Sequence, residues 1–439
     1  MADKKSTKKD ITPKTARRIR PNVRDKNLKA KSWAREWGDA LLFAAIAAII
    51  IRAFIVGAYR IPTPSMEDTL LTGDFLLVSK LHYGARTPMT VGIPLTSIYF
   101  SDFELPWTRL PGFSEIKRND IVVFNYPIED VPISQKTNYI KRSVGVPGDT
   151  LEIREKILYV NNQPEERLAE FRQNYLIEVR ERIRLSPTKV RAAGGELLNS
   201  SEQNYAVNMT AETARLMQDW PEVSNVVPFT YPDGADLFGR SPFSFARALT
   251  GNPDHMPQIV VPFSGQVLEL NDDNLQLYAE LIRKYEGNDL QIREGRVYIN
   301  GQRSDTYTIR HDYYFMMGDN RDNSEDSRFW GFVPKDHVVG KAWVIYFSWD
   351  RSHAGTDLDH TVIIGSKGEI SYPSFGESWV KVISEKYGEK KFDFELPGHI
   401  QQPHITSVVA DLLGSGIWAS NCLSVARTNR VMEQMVYIG

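Results

Sequence analysis

Three stretches of this 439-residue chain hold residues whose types could do chemistry together: a proline-bracketed serine, a lysine in an apolar strand and a loop dense in Asp, Asn, Ser and Arg. Ser65 stands in Ile61-Pro-Thr-Pro-Ser-Met66, where Pro62 and Pro64 deny helix and place the serine on an extended segment or turn, with its hydroxyl in a fixed direction. Lys141 stands in Asn138-Tyr-Ile-Lys-Arg-Ser-Val-Gly-Val-Pro-Gly-Asp149, in which Tyr139, Ile140, Val144 and Val146 mark a strand ending at the Pro147-Gly148 turn. Alternation along it puts Ser143 on the lysine's side and Ile140 and Arg142 on the other. The third stretch, Met316 to Val333, follows the apolar run Tyr313-Tyr-Phe-Met-Met317 and reads as a loop organised by side-chain hydrogen bonds, not a helix. Taken singly, an ordinary loop serine, a surface-strand lysine and a structural Asp-Arg network would read the same way.

A serine hydroxyl needs a base, and the eight histidines are scattered, with only His82 and His311 near these stretches. A lysine amine can serve if neutral. At a reference pKa near 10.4 only about one amine in a thousand is neutral near pH 7.5, so burial among apolar neighbours must lower the value to roughly 7 to 8. A Ser-Lys pair so tuned would hydrolyse an acyl bond. Other chemistries lack their signs: there is no H-E-x-x-H, C-x-x-C, G-x-S-x-G or G-x-x-x-x-G-K-[ST]. A calcium loop starting at Asp319 or Asn320 fails for want of a sixth-position glycine, and from Asp319 Arg321 also stands where a ligand is needed. The single cysteine, Cys422, excludes an internal disulfide and a Cys-based zinc site.

The surrounding chain suggests where such a pair would work. Length predicts two or three structural units, and 42% hydrophobic with 25% charged residues is ordinary globular composition. Charge is segregated. The first 37 residues hold 13 basic and 4 acidic side chains, leaving 40 basic against 51 acidic, a net −11, for the other 402. The basic head calls for anionic lipid or nucleic acid, and the acidic body disfavours nucleic acid. Ala40 to Ile51 is uncharged, and counting from Trp37 to Tyr59 gives enough length to cross a bilayer with Arg52 snorkelling and Trp33 and Trp37 at the inner interface. The lysine and arginine excess before this segment predicts a cytoplasmic N-terminus and an exported body. The competing readings are a buried helix of a soluble protein and a cleaved signal peptide, with Val56-Gly57-Ala58 as the cut site.

At this point the motifs resemble a family. Ile61-Pro-Thr-Pro-Ser-Met66, Gly73-Asp-(five residues)-Lys80, Tyr139-Ile-Lys-Arg-x-x-Gly-x-Pro-Gly-Asp149 and Gly318-Asp-Asn-Arg-Asp-Asn-Ser-x-Asp-Ser-Arg-x-Trp-Gly-x-Val333 are similar to the four boxes of bacterial signal peptidase I, in order and just after an anchor. The resemblance covers Tyr59 to Asp149 and about Asp312 to Trp349. It implies Ser65 as nucleophile and Lys141 as general base, with an oxyanion hole from the Ser65 backbone N–H and the Thr63 hydroxyl. It further implies Ser324, Asp326, Arg328 and Asp319 as residues that orient the lysine and brace its loop, and Met66 and Ile140 as substrate contacts. The chain departs from the family at Pro64, often glycine there, and at Glu67-Asp68. No cofactor and no metal are implied. The implied partners are signal peptides of exported preproteins, with small residues first and third before the cut, and membrane lipid, but no nucleic acid. The implied location is the bacterial inner membrane, single-pass, with the catalytic domain on the periplasmic side.

The expected fold is mainly β: an antiparallel catalytic sheet with a large α+β insertion and one N-terminal transmembrane helix. Its expected parts are a basic arm (1–36), the anchor (37–59), the catalytic domain (60–155 and 304–349), the insertion (156–303) and a C-terminal extension of unassigned fold (350–439). Ser65 lies some 13 residues past Arg52, at most about 45 Å of chain, which keeps it near the outer leaflet. Tyr99, Phe100, Phe103, Trp107 and Phe113 either dip into that interface or pack on the body. In the insertion, Ile157 to Pro164 and Arg296 to Arg303 read as hairpins turning at Asn161-Asn162 and Asn300-Gly301. Glu165 to Ile183, Ala211 to Trp220 and Asp272 to Glu286 read as helices, the last capped by Asp272 or Asp273 and stopped by Gly287. A second span near 407–426 would be broken by Asp411 and Asn421. Two rival functions are a Ser-Lys regulatory protease that cleaves itself and an inactive anchored preprotein-binding homologue.

Overall fold

The computed structural model describes residues 33–90, 105–165, 171–180, 184–201 and 203–348, and the short strands Ile363–Ile364 and Ile370–Ser371. The arm up to residue 32, Tyr99, Phe100, Phe103 and almost all of the C-terminal extension lie outside these residues. The chain divides into two units, Met1–Ala48 and Ile49–Gly439.

The first unit is helical from Trp33, and that helix runs to Ile50, continuing as a wider turn over Ile51–Ile55. Within it Trp37–Ile55, 19 residues, is long and apolar enough to cross a membrane, and none of it is buried. The span does not extend to Tyr59 as the sequence reading had it. Val56–Arg60 is a strand paired residue for residue with residues 75–79, and backbone groups committed to a neighbouring strand cannot close helical bonds.

The second unit is built on a curled antiparallel sheet in the order Val56–Arg60, Asp74–Ser79, Val338–Ser348, Ile121–Asn125, Asn138–Gly145, Tyr313–Met317 and Val333–Pro334. Its central strand Ile121–Asn125 is buried at every residue. The unbroken apolar run follows from cover on both faces: Ile121 and Val123 pack with Ile61, Met66, Leu70 and Leu76, whereas Val122 and Phe124 pack with Tyr314, Trp330 and Val338.

Between the Lys141 strand and the final loop the chain builds three small sheets and a three-stranded hairpin unit. Thr150–Arg154 pairs with Met256–Val260 and Ile157–Val160, and Thr306–Thr308 with Val267–Glu269, so these two strands join the insertion and not the large sheet. Both hairpins turn where expected, with φ of +54° and +63° at Asn161 and Asn162 and +50° and +80° at Asn300 and Gly301. Helices occur at Ala211–Gln218 and Asp272–Glu280, the latter capped by the Asn271 side chain, which accepts from Asn274 N, and not by Asp272 or Asp273. The described residues of the span Glu165 to Ile183 are not helical: Arg172–Val179 is a strand between two partners, and 166–170 and 181–183 lie outside the described residues. Its glutamates and arginines suggested helix, but Tyr175, Ile177 and Val179 bury every second side chain, and that period sets the conformation.

Candidate active site

Ser65 sits in a single turn of 3₁₀ helix, Pro64–Met66, entered from an extended Thr63. Pro64 supplies the fixed φ of a first helical position, and the turn leaves the Ser65 backbone N–H at a helix start, where donors lack intrahelical acceptors. The serine is buried at 7% exposure, while Thr63 beside it is open to solvent with its Oγ1 3.3 Å from Ser65 Oγ.

Lys141 comes from the middle of Asn138–Gly145 and is 4% exposed. Its Nζ lies 2.5 Å from Ser65 Oγ. Burial pushes its pKa from 10.5 down to about 8; the carboxylates of Asp326 and Asp319 oppose the fall, and Arg328 adds to it. The lysine is thus poised between ammonium and free amine near neutral pH.

The next residue is treated differently. Arg142, 1% exposed, makes two parallel bonds to Asp319, Nε to Oδ1 at 2.8 Å and Nη2 to Oδ2 at 2.6 Å. Thr69 Oγ1 donates to the same carboxylate at 2.5 Å. One buried carboxylate therefore ties together the serine segment, the lysine strand and the loop after Met317. The loop also reaches the serine through its backbone: Asn320 N donates to Ser65 O at 3.1 Å, and Asn320 Nδ2 to Pro64 O at 3.2 Å. Gly318 allows this approach, since a Cβ there would lie 2.5 Å from Ser65 O and run into Ser324 Oγ.

Asp326 and Arg328 hold the rest of the loop. Arg328 Nε and Nη2 donate to the two Asp326 oxygens at 2.8 and 2.9 Å, and Gly318 N donates to Asp326 at 3.0 Å. Burial acts to raise the Asp326 carboxyl, but Arg328 and these bonds hold it below the ordinary carboxylate value. Asp326 also caps one short helical turn, Ser327–Trp330, inside what the sequence suggested was loop throughout.

On one side the Lys141 strand pairs with Ile121–Asn125 from Asn138 to Arg142. On the other, Tyr313–Met317 pairs only from Arg142 to Gly145. Among the described residues, the edge of Asn138–Lys141 beside the serine is left without a strand.

A family model described as signal peptidase, peptidase S26, matches residues 34–233 and 260–349. The chain belongs to that family. Similar proteins include signal peptidase I of Aquifex aeolicus, 27% identical over 308 residues and covering 70% of this chain and 82% of that one. Signal peptidase I of Pseudomonas aeruginosa is 27% identical over 325 residues, 72% of each chain. That of Buchnera aphidicola from Acyrthosiphon pisum is 27% identical over 310 residues, 70% of this chain and 73% of its own. A solved signal peptidase I from Enterococcus faecalis V583 is 19% identical, covers 52% of this chain and 96% of its own, and has a TM-score of 0.19, too slight a likeness to bear on the fold.

Of the residues singled out from sequence, Ser65, Thr63, Lys141, Asp319, Asp326 and Arg328 are brought into one linked group. Two depart from expectation. Ser324 Oγ is buried over Gly318 but among the described residues has no hydrogen-bond partner, so the expected bond to Lys141 is not made; the lysine Nζ meets Ser65 Oγ and lies 5.9 Å from the centre of the Tyr139 ring. Met66 is fully buried with Ile61, Leu70 and Leu76, which leaves it no surface for a peptide; Ile140, half-buried against the same cluster, keeps some. Sequence reasoning passed over Arg142, Asn320 and Thr69. Arg142 carried a signal, because a charge alternating with Lys141 in an apolar strand must find a partner.

Proposed function

We propose that this chain is a membrane-anchored signal peptidase I whose nucleophile is Ser65 and whose general base is Lys141. The observation that carries the reading is a serine oxygen 2.5 Å from a buried lysine amine whose pKa is lowered to about 8. Near pH 8 about half the amine is free and takes the Ser65 Oγ proton as the oxygen attacks the scissile carbonyl carbon. The oxyanion so formed is met by the Ser65 N–H and the Thr63 hydroxyl. The resulting ammonium returns its proton to the leaving amine, which departs as the new N-terminus of the mature protein. Water then attacks the ester, Lys141 taking its proton, and Ser65 is restored with the signal peptide carboxylate released.

The free edge of Asn138–Lys141 supports binding of the peptide as an added strand beside Ser65, with Ile140 contributing apolar wall and small side chains required first and third before the cut. Membrane association is a property of the family, and Trp37–Ile55 is an apolar helix of spanning length. The 13 basic residues before it support a cytoplasmic N-terminus and a body on the periplasmic face of the inner membrane.

The test incubates purified enzyme with a separate preprotein, beside the variants Ser65→Ala and Lys141→Ala. Cleavage by the intact enzyme, lost in both variants, is expected. Intact enzyme without activity would favour an inactive binding homologue, and cleavage confined to its own chain would favour a self-processing protease.

A further inference from the structure

The insertion reaches the turn that carries Ser65. Arg172 opens the strand Arg172–Val179, its side chain is 7% exposed, and its guanidinium is held from three directions by the insertion itself. Nε donates to Asn208 Oδ1 at 2.9 Å, and Nη2 to Asn208 O at 2.8 Å and Gly194 O at 3.0 Å. Nη1 is left to face Asp68, 3.2 Å from both carboxylate oxygens. Asp68 lies three residues beyond Ser65 in a turn closed by Leu70 N donating to Met66 O, and it holds a left-handed φ of +72°. A non-glycine residue keeps that conformation only when its surroundings fix it. Burial raises the Asp68 carboxyl above its ordinary value and the nearby Asp319 charge adds to the rise, while the Arg172 charge and hydrogen bonds oppose it.

The backbone runs alongside. Arg172 N donates to Asp319 O at 3.0 Å, Arg321 N to Arg172 O at 2.8 Å, and Asn208 Nδ2 to Asn320 Oδ1 at 2.9 Å. Asn320 is the residue whose N–H holds Ser65 O. Arg172 thus grips both the turn carrying the serine and the loop that seats it.

We propose that Arg172 is a positioning residue, through which the insertion fixes the Ser65 turn by way of Asp68. The proposal rests on Ser65 as nucleophile. It gives the departure at Glu67-Asp68 a role: the acidic residue that the family motif does not require is answered by a cation from the insertion. Lysine cannot replace it, because one ammonium cannot hold Asn208, Gly194 and Asp68 in a planar fork at once.

The full-length enzyme is assayed in detergent on a soluble signal-peptide substrate with the variants Asp68→Asn, Arg172→Met, Arg172→Lys, the double Asp68→Asn/Arg172→Met, and Ser65→Ala. Asp68→Asn is expected to lower kcat about tenfold with KM within about twofold and Tm nearly unchanged, the mark of a misplaced nucleophile and not of weaker binding or a loosened fold. Arg172→Met should lower kcat at least as far, and the double variant no further. Arg172→Lys should not restore the rate. An unchanged kcat in Asp68→Asn, or losses that multiply in the double variant, would overturn the proposal. If Arg172→Met does not fold, Asp68→Asn and Arg172→Lys decide by the same criteria. Ser65→Ala separates the two levels. Should it keep activity, the reading of the site falls; should it be inactive while kcat in Asp68→Asn is unaltered, the clamp alone falls.

Discussion

Lys141 and Arg142 are neighbours on one strand, both nearly sealed from solvent, and the protein deals with their charges in opposite ways. Arg142 is given a bidentate carboxylate, Asp319, and stays charged. Lys141 is given a serine hydroxyl and, among the described residues, no carboxylate within salt-bridge distance, so burial weakens its hold on a proton. The contrast separates structural from chemical use of a buried cation. A paired charge locks three segments together, whereas an unpaired one costs stability and becomes a base.

Replacing the lysine breaks the chemical half outright. Lys141→Arg should lower kcat by about 10⁴-fold or more, as should Lys141→Met, since a guanidinium does not become neutral in the working range. Steady-state cleavage of a preprotein checks it, and measurable turnover by Lys141→Arg would remove the case for a neutral-amine base.

The structural half should fail by unfolding. Asp319→Leu leaves Arg142 charged and buried without its carboxylate, and is expected to lose about 3–5 kcal/mol of stability in denaturant titration. The opposite sign is expected next door. Lys141→Met should gain stability, on the order of 3 kcal/mol at most, at pH 6.5, where wild-type lysine is charged in both folded and unfolded states. The gain should shrink between about pH 8 and 10.5, as the folded state sheds its proton before the unfolded one, and vanish above. Two variants destabilised alike would mean that Lys141 is paired in solution.

Thr63→Val should cost about 100- to 1000-fold in kcat with little change in KM, by removing one oxyanion donor. A loss confined to KM would assign Thr63 to substrate binding instead. The mildest test is pH: kcat/KM should climb about tenfold per unit below about pH 8 and level off above it, because the reactive form is the deprotonated amine. A profile flat through that range would place the controlling ionisation elsewhere.

Much of the chemistry could be read from the sequence because proline and alternation are local signals. Pro62 and Pro64 announce a stiff serine turn, and Tyr139 to Val146 announces the strand that carries Lys141, although a surface-strand lysine would read the same way. Long-range partners could not be read. Nothing near Asp68 indicates that its cation sits 104 residues later, and Asp319 gives no sign that it serves Thr69 and Arg142 together. In the strand Arg172–Val179 the charged residues hide a period of two, which the sheet around it makes decisive. Asn271 in place of Asp272 or Asp273 is a slip of one or two residues, the usual scale for a helix end.

The contact between Asn320 and Ser65 has a consequence in time. A ribosome delivers the hydroxyl some 250 residues before the backbone amide that seats it, and Lys141 arrives between the two. Loops that long close late in folding. A half-made copy therefore has its serine on an unanchored turn, and cutting power is withheld until synthesis has passed Asn320 and that segment has folded back on the beginning of the second unit.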